Sequence, residues 1–133
     1  MYVKRLFYDI QKDTSSDEKI IDFPSWEDVE RIIDMLDGIF VTQITMDNGN
    51  EDNYLCIGGG NDGLYNLFIS ENDNEIIHTL IKPNANSSLM HILVTGGQEG
   101  DFEDELCVTI DMAKQVAKKY YELGKKDDSF CWE

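Results

Sequence analysis

The sequence is short of cysteine, proline, histidine and positive charge, and each shortage narrows the functions open to it. Its 133 residues include three cysteines, two prolines, two histidines and 11 Lys+Arg against 27 Asp+Glu. Cys56, Cys107 and Cys131 are odd in number, widely spaced and lack a C-x-x-C pair, which argues against a disulfide framework and against a zinc knuckle. Cys56 and Cys107 lie in apolar, strand-like stretches and read as reduced core thiols. A nucleophilic thiol would need a basic partner, and the histidines are His78 and His91, each inside a strand pattern and each read as structural. The apolar runs are only a few residues long, so no bilayer span is expected. Met1–Asp9 reaches Asp9 before any hydrophobic region of secretory length develops, the start expected of a cytoplasmic protein. A formal charge of -16 disfavours direct binding of nucleic acid, whose phosphates it would repel.

What is present is enough for a core. With 41% hydrophobic residues, two Trp, six Tyr and six Phe, the chain is expected to fold as one domain over residues 1–133 without metal, cofactor or disulfide. Gly58, Gly60 and Gly63 have the spacing G-x-G-x-x-G, but the dinucleotide fingerprint requires a long helix after the glycines. The following segment, Leu64-Tyr-Asn-Leu-Phe-Ile-Ser70, is rich in aromatic and branched residues and is interrupted by Asn66 and Ser70 too soon for such a helix. The glycines therefore read as the turn of a β-hairpin, with Asn61-Asp62-Gly63 supplying the turn residues.

Elsewhere, residues 2–10 and 19–22 read as extended, with a polar turn between them. Ser25 and Asp28 open a helix whose apolar stripe is Trp26, Val29, Ile32, Ile33 and Leu36; Thr109 opens a second that runs to Gly124, with Ile110, Ala113, Val116, Ala117 and Tyr120 facing inward. Strands are expected over 39–46, 54–58, 63–70, 75–81 and 89–95, and a polar segment over 96–105. The fold class is α+β: an antiparallel β-meander sheet covered on one face by two amphipathic helices. Trp132 could be an exposed anchor or could close the core beneath the second helix. Its large apolar area, and its alternation with Phe130 on an extended tail, favour the core. Tyr120 and Tyr121 read as packing residues.

The loop Asp47-Asn-Gly-Asn-Glu-Asp-Asn53 invites a calcium reading, but an EF-hand loop needs glycine where Asp52 stands, so it reads as a solvated turn. The acid is uneven: residues 27–105 hold 17 acidic residues against Arg31 and Lys82 alone, densest at Glu99, Asp101, Glu103, Asp104 and Glu105. Charge runs of this kind serve solubility or face a basic partner.

The order Val94-Thr-Gly-Gly97, a polar segment to Glu105, Leu106-Cys-Val-Thr-Ile110 leading into the helix ending at Gly124, and the closing Phe130-Cys-Trp-Glu133 resembles the first numbered immunity-protein family of bacterial polymorphic toxin systems. The capped helix from Ser25 and the glycine hairpin extend the resemblance over roughly residues 20–133. It implies a non-enzymatic protein that binds and neutralises one cognate toxin domain, often a nucleic-acid deaminase and sometimes a nuclease. The layout is similar to that of inhibitors of double-stranded DNA cytidine deaminase toxins. Such a toxin attracts phosphates with cations around its pocket. The candidate partner-binding residues are then Glu99, Asp101, Glu103, Asp104 and Glu105, with Asp47, Glu51 and Asp52, joined by a buried apolar anchor that the sequence does not identify. An acidic regulatory or adaptor module is the alternative. A small enzyme is a weaker one, since the carboxylates are scattered without a convincing base or nucleophile.

Overall fold

The computed structural model describes residues 1–133 and places nine strands and two helices along the chain: β1 (Arg5–Gln11), β2 (Ser16–Asp22), α1 (Trp26–Met35), β3 (Gln43–Asp47), β4 (Tyr54–Gly59), β5 (Tyr65–Glu71), β6 (Ile76–Ile81), β7 (Met90–Thr95), β8 (Gln98–Glu103), α2 (Ile110–Leu123) and β9 (Cys131–Trp132). Seven strands form one antiparallel sheet in the order β2-β1-β3-β4-β5-β6-β9, and β7 pairs with β8 in a separate two-stranded sheet. The class is α+β, as expected.

Alternation along the strands sorts the faces of the large sheet. Ile44 and Met46 stand opposite Ile57 and Leu55, which stand opposite Leu67 and Ile69. These side chains are buried with Leu6 and Leu80 on one face, and α1 and α2 cover them with Val29, Ile32, Ile33, Ala113, Val116, Ala117, Tyr120 and Tyr121 in a core cluster of 21 residues. Fully burying an aliphatic side chain of this kind contributes about 1.5–3 kcal/mol. Both helix starts are built as the sequence predicts. Ser25 accepts from the Asp28 amide while Asp28 reaches back to the Ser25 amide, and Thr109 accepts from the Met112 amide. Gly124 ends α2 at φ 68, a conformation that suits glycine.

The glycine motif is a strand-turn-strand. β4 and β5 pair from Tyr54↔Ser70 to Gly59↔Tyr65 around a 3-10 turn at Asn61–Gly63. Gly60 sits at φ 98 against the Leu36 carbonyl, where a Cβ has no room. Trp132 is half-buried against the core, pairs with Leu80, and donates its indole N–H to the Asp127 carbonyl at 2.9 Å.

Three expectations are corrected. The strand expected from residue 39 begins only at Gln43, because Asp37 Oδ1 accepts the amides of Ile39, Phe40 and Val41 at 2.9, 2.8 and 3.1 Å and bends the chain away from the sheet. The strand at 89–95 does not continue the meander: the edge beside β6 is taken by β9, and β7 leaves to pair with β8. The polar segment at 96–105 is itself mostly strand, turned by Gly96 and Gly97, both at positive φ. This β7–β8 hairpin crosses one end of the sheet on the face the helices leave open. Thr95 packs where a Gly58 Cβ would be, Gly96 lies against Gln43, and Gly97 lies against Gln11.

Candidate functional site

The acidic hairpin is fastened to the sheet at three levels. At its tip, the Thr42 hydroxyl donates to Asp9 and accepts the Gly97 amide at 3.0 Å. Asp9 also takes the backbone amides of Thr42 and Gln43 at 2.7 and 2.8 Å. Burial pushes the Asp9 carboxyl up, but these donors, with the Gln11 side chain, outweigh it and hold the group below the ordinary carboxylate range. Just behind the tip, Asn61 accepts the Val94 amide at 2.9 Å and donates to the Gly38 carbonyl at 3.3 Å. At the base, Asp104 receives the Lys82 ammonium at 2.8 Å and the Asn86 amide at 2.9 Å, with His91 Nε2 at 2.7 Å. Lys82 first, then Asn86 and His91, hold Asp104 well below the usual carboxylate range.

These bonds decide which acidic residues face out. Along β8 the pairs His91↔Phe102, Leu93↔Gly100 and Thr95↔Gln98 alternate with Met90↔Glu103, Ile92↔Asp101 and Val94↔Glu99. Leu93 of the first set is buried, whereas Glu99, Asp101 and Glu103 are all exposed and none joins an ion pair. Glu105 is half-buried in the 3-10 turn that follows and lines a hollow of about 250 Å³ with Ala85, Ser87, Glu103 and Asp104. Asp104, 6% exposed, belongs to the base of the hairpin rather than to its surface. The turn that starts at Asp104 points this candidate's carboxylate inward, to Lys82 and Asn86.

The second acidic segment lies elsewhere. Asp47 is 2% exposed and accepts Arg5 Nε and Nη2 at 2.8 and 2.9 Å, so its carboxylate is turned inward too. Glu51 and Asp52 are exposed in the loop after it. β3 and β4 run from Gln43↔Gly58 beneath the hairpin to Asp47↔Tyr54 beside that loop. Four residue steps at ~3.4 Å put about 14 Å between the two ends of this strand pair.

Sequence reading missed the apolar neighbours of the acids. Met90 and Ile92 are 54% and 55% exposed, directly opposite Glu103 and Asp101, and Ile39 and Phe40 are each 64% exposed on the loop held by Asp37. The available signal was Gly96-Gly97, a two-residue hairpin turn, which fixes the pairing and hence the faces.

For reactive groups the geometry is plain. Cys56 lies 3% exposed on the face of the sheet away from the helices, and burial pushes its thiol up to about 12, so it stays protonated at neutral pH. No group of three or more His, Cys, Asp or Glu side chains is arranged to hold a metal ion. No helix is long and apolar enough to cross a membrane.

Comparison with protein families supplies the class: residues 17–133 match the family described as Immunity protein Imm1, and the chain belongs to that family of toxin-neutralising immunity proteins, each of which has a cognate toxin as partner. No curated protein and no solved structure matches the chain.

Proposed function

We propose that residues 1–133 act as one cytoplasmic, non-catalytic immunity domain that neutralises a cognate toxin acting on nucleic acid, a deaminase first and a nuclease next, by covering its basic substrate-binding site with acidic surface. The observation that carries this reading is the unpaired row Glu99, Asp101 and Glu103, held on a clamped hairpin, with Glu105 at its base. Glu51 and Asp52 extend the field from the far end of β3. A toxin of this class needs cations to hold phosphates, and fixed carboxylates on the inhibitor take the place of those phosphates. The deaminase is put first because the chain's closing segment resembles proteins often paired with deaminase toxins. Complementary fields raise the association rate by about 10–10³-fold at low salt. An inhibitor interface of ordinary size buries about 1,600 Å² in total.

The test mixes the protein with the toxin domain encoded beside it. Equimolar protein abolishes deamination or cleavage, and the association rate falls steeply between low and high salt. A toxin left fully active at equimolar protein overturns the reading.

A further inference from the structure

The acidic row accounts for steering but not for tight holding, which needs side chains that leave water. The outer face of the β7–β8 hairpin supplies them. Each exposed carboxylate of β8 stands directly opposite an aliphatic residue of β7, as Met90↔Glu103, Ile92↔Asp101 and Val94↔Glu99. Such pairs share one face with Cβ atoms about 5 Å apart, so the face is half aliphatic and half anionic. The loop at Ile39 and Phe40 adjoins it, because Asn61 bonds both the Gly38 carbonyl and the Val94 amide. A Cβ at Gly38 would overlap the Asn61 amide, so the loop packs tightly on the turn residue that also holds β7.

Size requires the loop. Six residues of hairpin at ~3.4 Å by two strands at ~5 Å present a strip of roughly 200 Å², against about 800 Å² per partner in a stable interface. Charge selects the occupant. No lysine or arginine occurs from residue 32 to 81 or from 83 to 113, so loop and hairpin carry no cation of their own. A second copy of this face would set carboxylate against carboxylate, and nucleic acid would be repelled.

We propose that the outer face of β7–β8 and the Ile39–Phe40 loop form one docking surface, with Met90, Ile92, Ile39 and Phe40 as anchors and Glu99, Asp101 and Glu103 as an anionic rim. Its occupant is a surface of the cognate toxin domain that carries lysine and arginine side chains beside an apolar hollow. This rests on the toxin-binding reading above and adds where the grip lies. All the anchors are already exposed on bonded backbone, so binding immobilises little that is mobile in the free protein.

The experiment measures association and dissociation rates of the toxin with the wild-type protein, Met90→Ser/Ile92→Ser, Ile39→Ser/Phe40→Ser, and Ile20→Ser, which removes an equally exposed isoleucine from β2. Either double variant raises Kd by about 100-fold, mainly through faster dissociation, while Ile20→Ser stays within about twofold. Thermal melts identify any variant that fails to fold, and the remaining double variant then decides. Unchanged Kd in the folded double variants, with tight wild-type binding, overturns the docking surface and leaves the immunity reading standing. A wild-type protein that does not bind the toxin overturns both. Dimerisation lost in Met90→Ser/Ile92→Ser while toxin affinity holds also overturns the surface, since the occupant is then a second copy.

Discussion

The two acidic segments, 47–53 and 99–105, look alike in sequence and differ in what their polar groups do. In the first, oxygen side chains are spent on their own turn: Asp47 accepts the Gly49 amide at 2.9 Å, Asn48 the Asn50 amide at 3.1 Å and Asn50 the Asp52 amide at 3.0 Å. In the second, a strand sends alternate side chains in opposite directions, so Glu99, Asp101 and Glu103 face water while Asp104 turns in to Lys82. The contrast teaches that a count of acids does not measure an acidic surface. A carboxylate with a buried donor is structural wherever it falls in a charge run.

The sharpest break of this contrast comes from loosening the second segment. In Gly58→Ala the new Cβ meets the Thr95 side chain and lifts the hairpin; a loss of about 3 kcal/mol in urea denaturation is expected, with faster amide exchange along β8. Next is the structural acid of the first segment. Asp47→Asn disrupts the two-point bond from Arg5 and costs about 2 kcal/mol, whereas Asp101→Asn changes stability by less than about 0.5 kcal/mol. Association shows the reverse. Glu99→Gln/Asp101→Asn/Glu103→Gln slows toxin capture about tenfold at low salt and little at high salt, and Glu51→Gln/Asp52→Asn slows it less.

Acid titration separates the classes without a partner. Asp104 and Asp9 are both held below their unfolded value of about 4, so their stabilisation is complete above that pH and is lost as pH falls through it toward the folded values. The stability of Asp104→Asn therefore falls less steeply than wild type below about pH 4. The smallest effect is expected at Thr95, whose buried Oγ1 has no hydrogen-bond partner: Thr95→Val is neutral or stabilises by up to about 1 kcal/mol.

Local signals made much of the fold legible. Ser25 with Asp28 and Thr109 with Gly124 bound the helices, and Asn61-Asp62-Gly63 turns a hairpin where a nucleotide motif was the rival reading. The errors lie where a group outside the segment decides. Ile39-Phe-Val-Thr42 has strand composition, but one carboxylate at Asp37 captures three of its amides. Met90-His-Ile-Leu-Val94 fits a central strand, yet the chain's last residues hold the β6 edge in its place. Of the candidate site, the acidic stretch was visible. The division into bonded and free carboxylates was not, because Lys82 and Asn86 approach Asp104 from another loop. The aliphatic row was hidden because Ile92-Leu93-Val94 is apolar at every position and so has no period from which to read its two faces.

On β8 the carboxylates that meet water stand at every second position, and the bonds that fasten the hairpin lie outside them, at Gly97, Val94 and Asp104. Rewriting side chains 99, 101 and 103 leaves the fastenings at Thr42, Asn61 and Lys82 in place. On the proposed reading, one scaffold can thus be re-lettered for a new adversary in single mutational steps, each tolerated by the fold, so that recognition drifts while the architecture stands still.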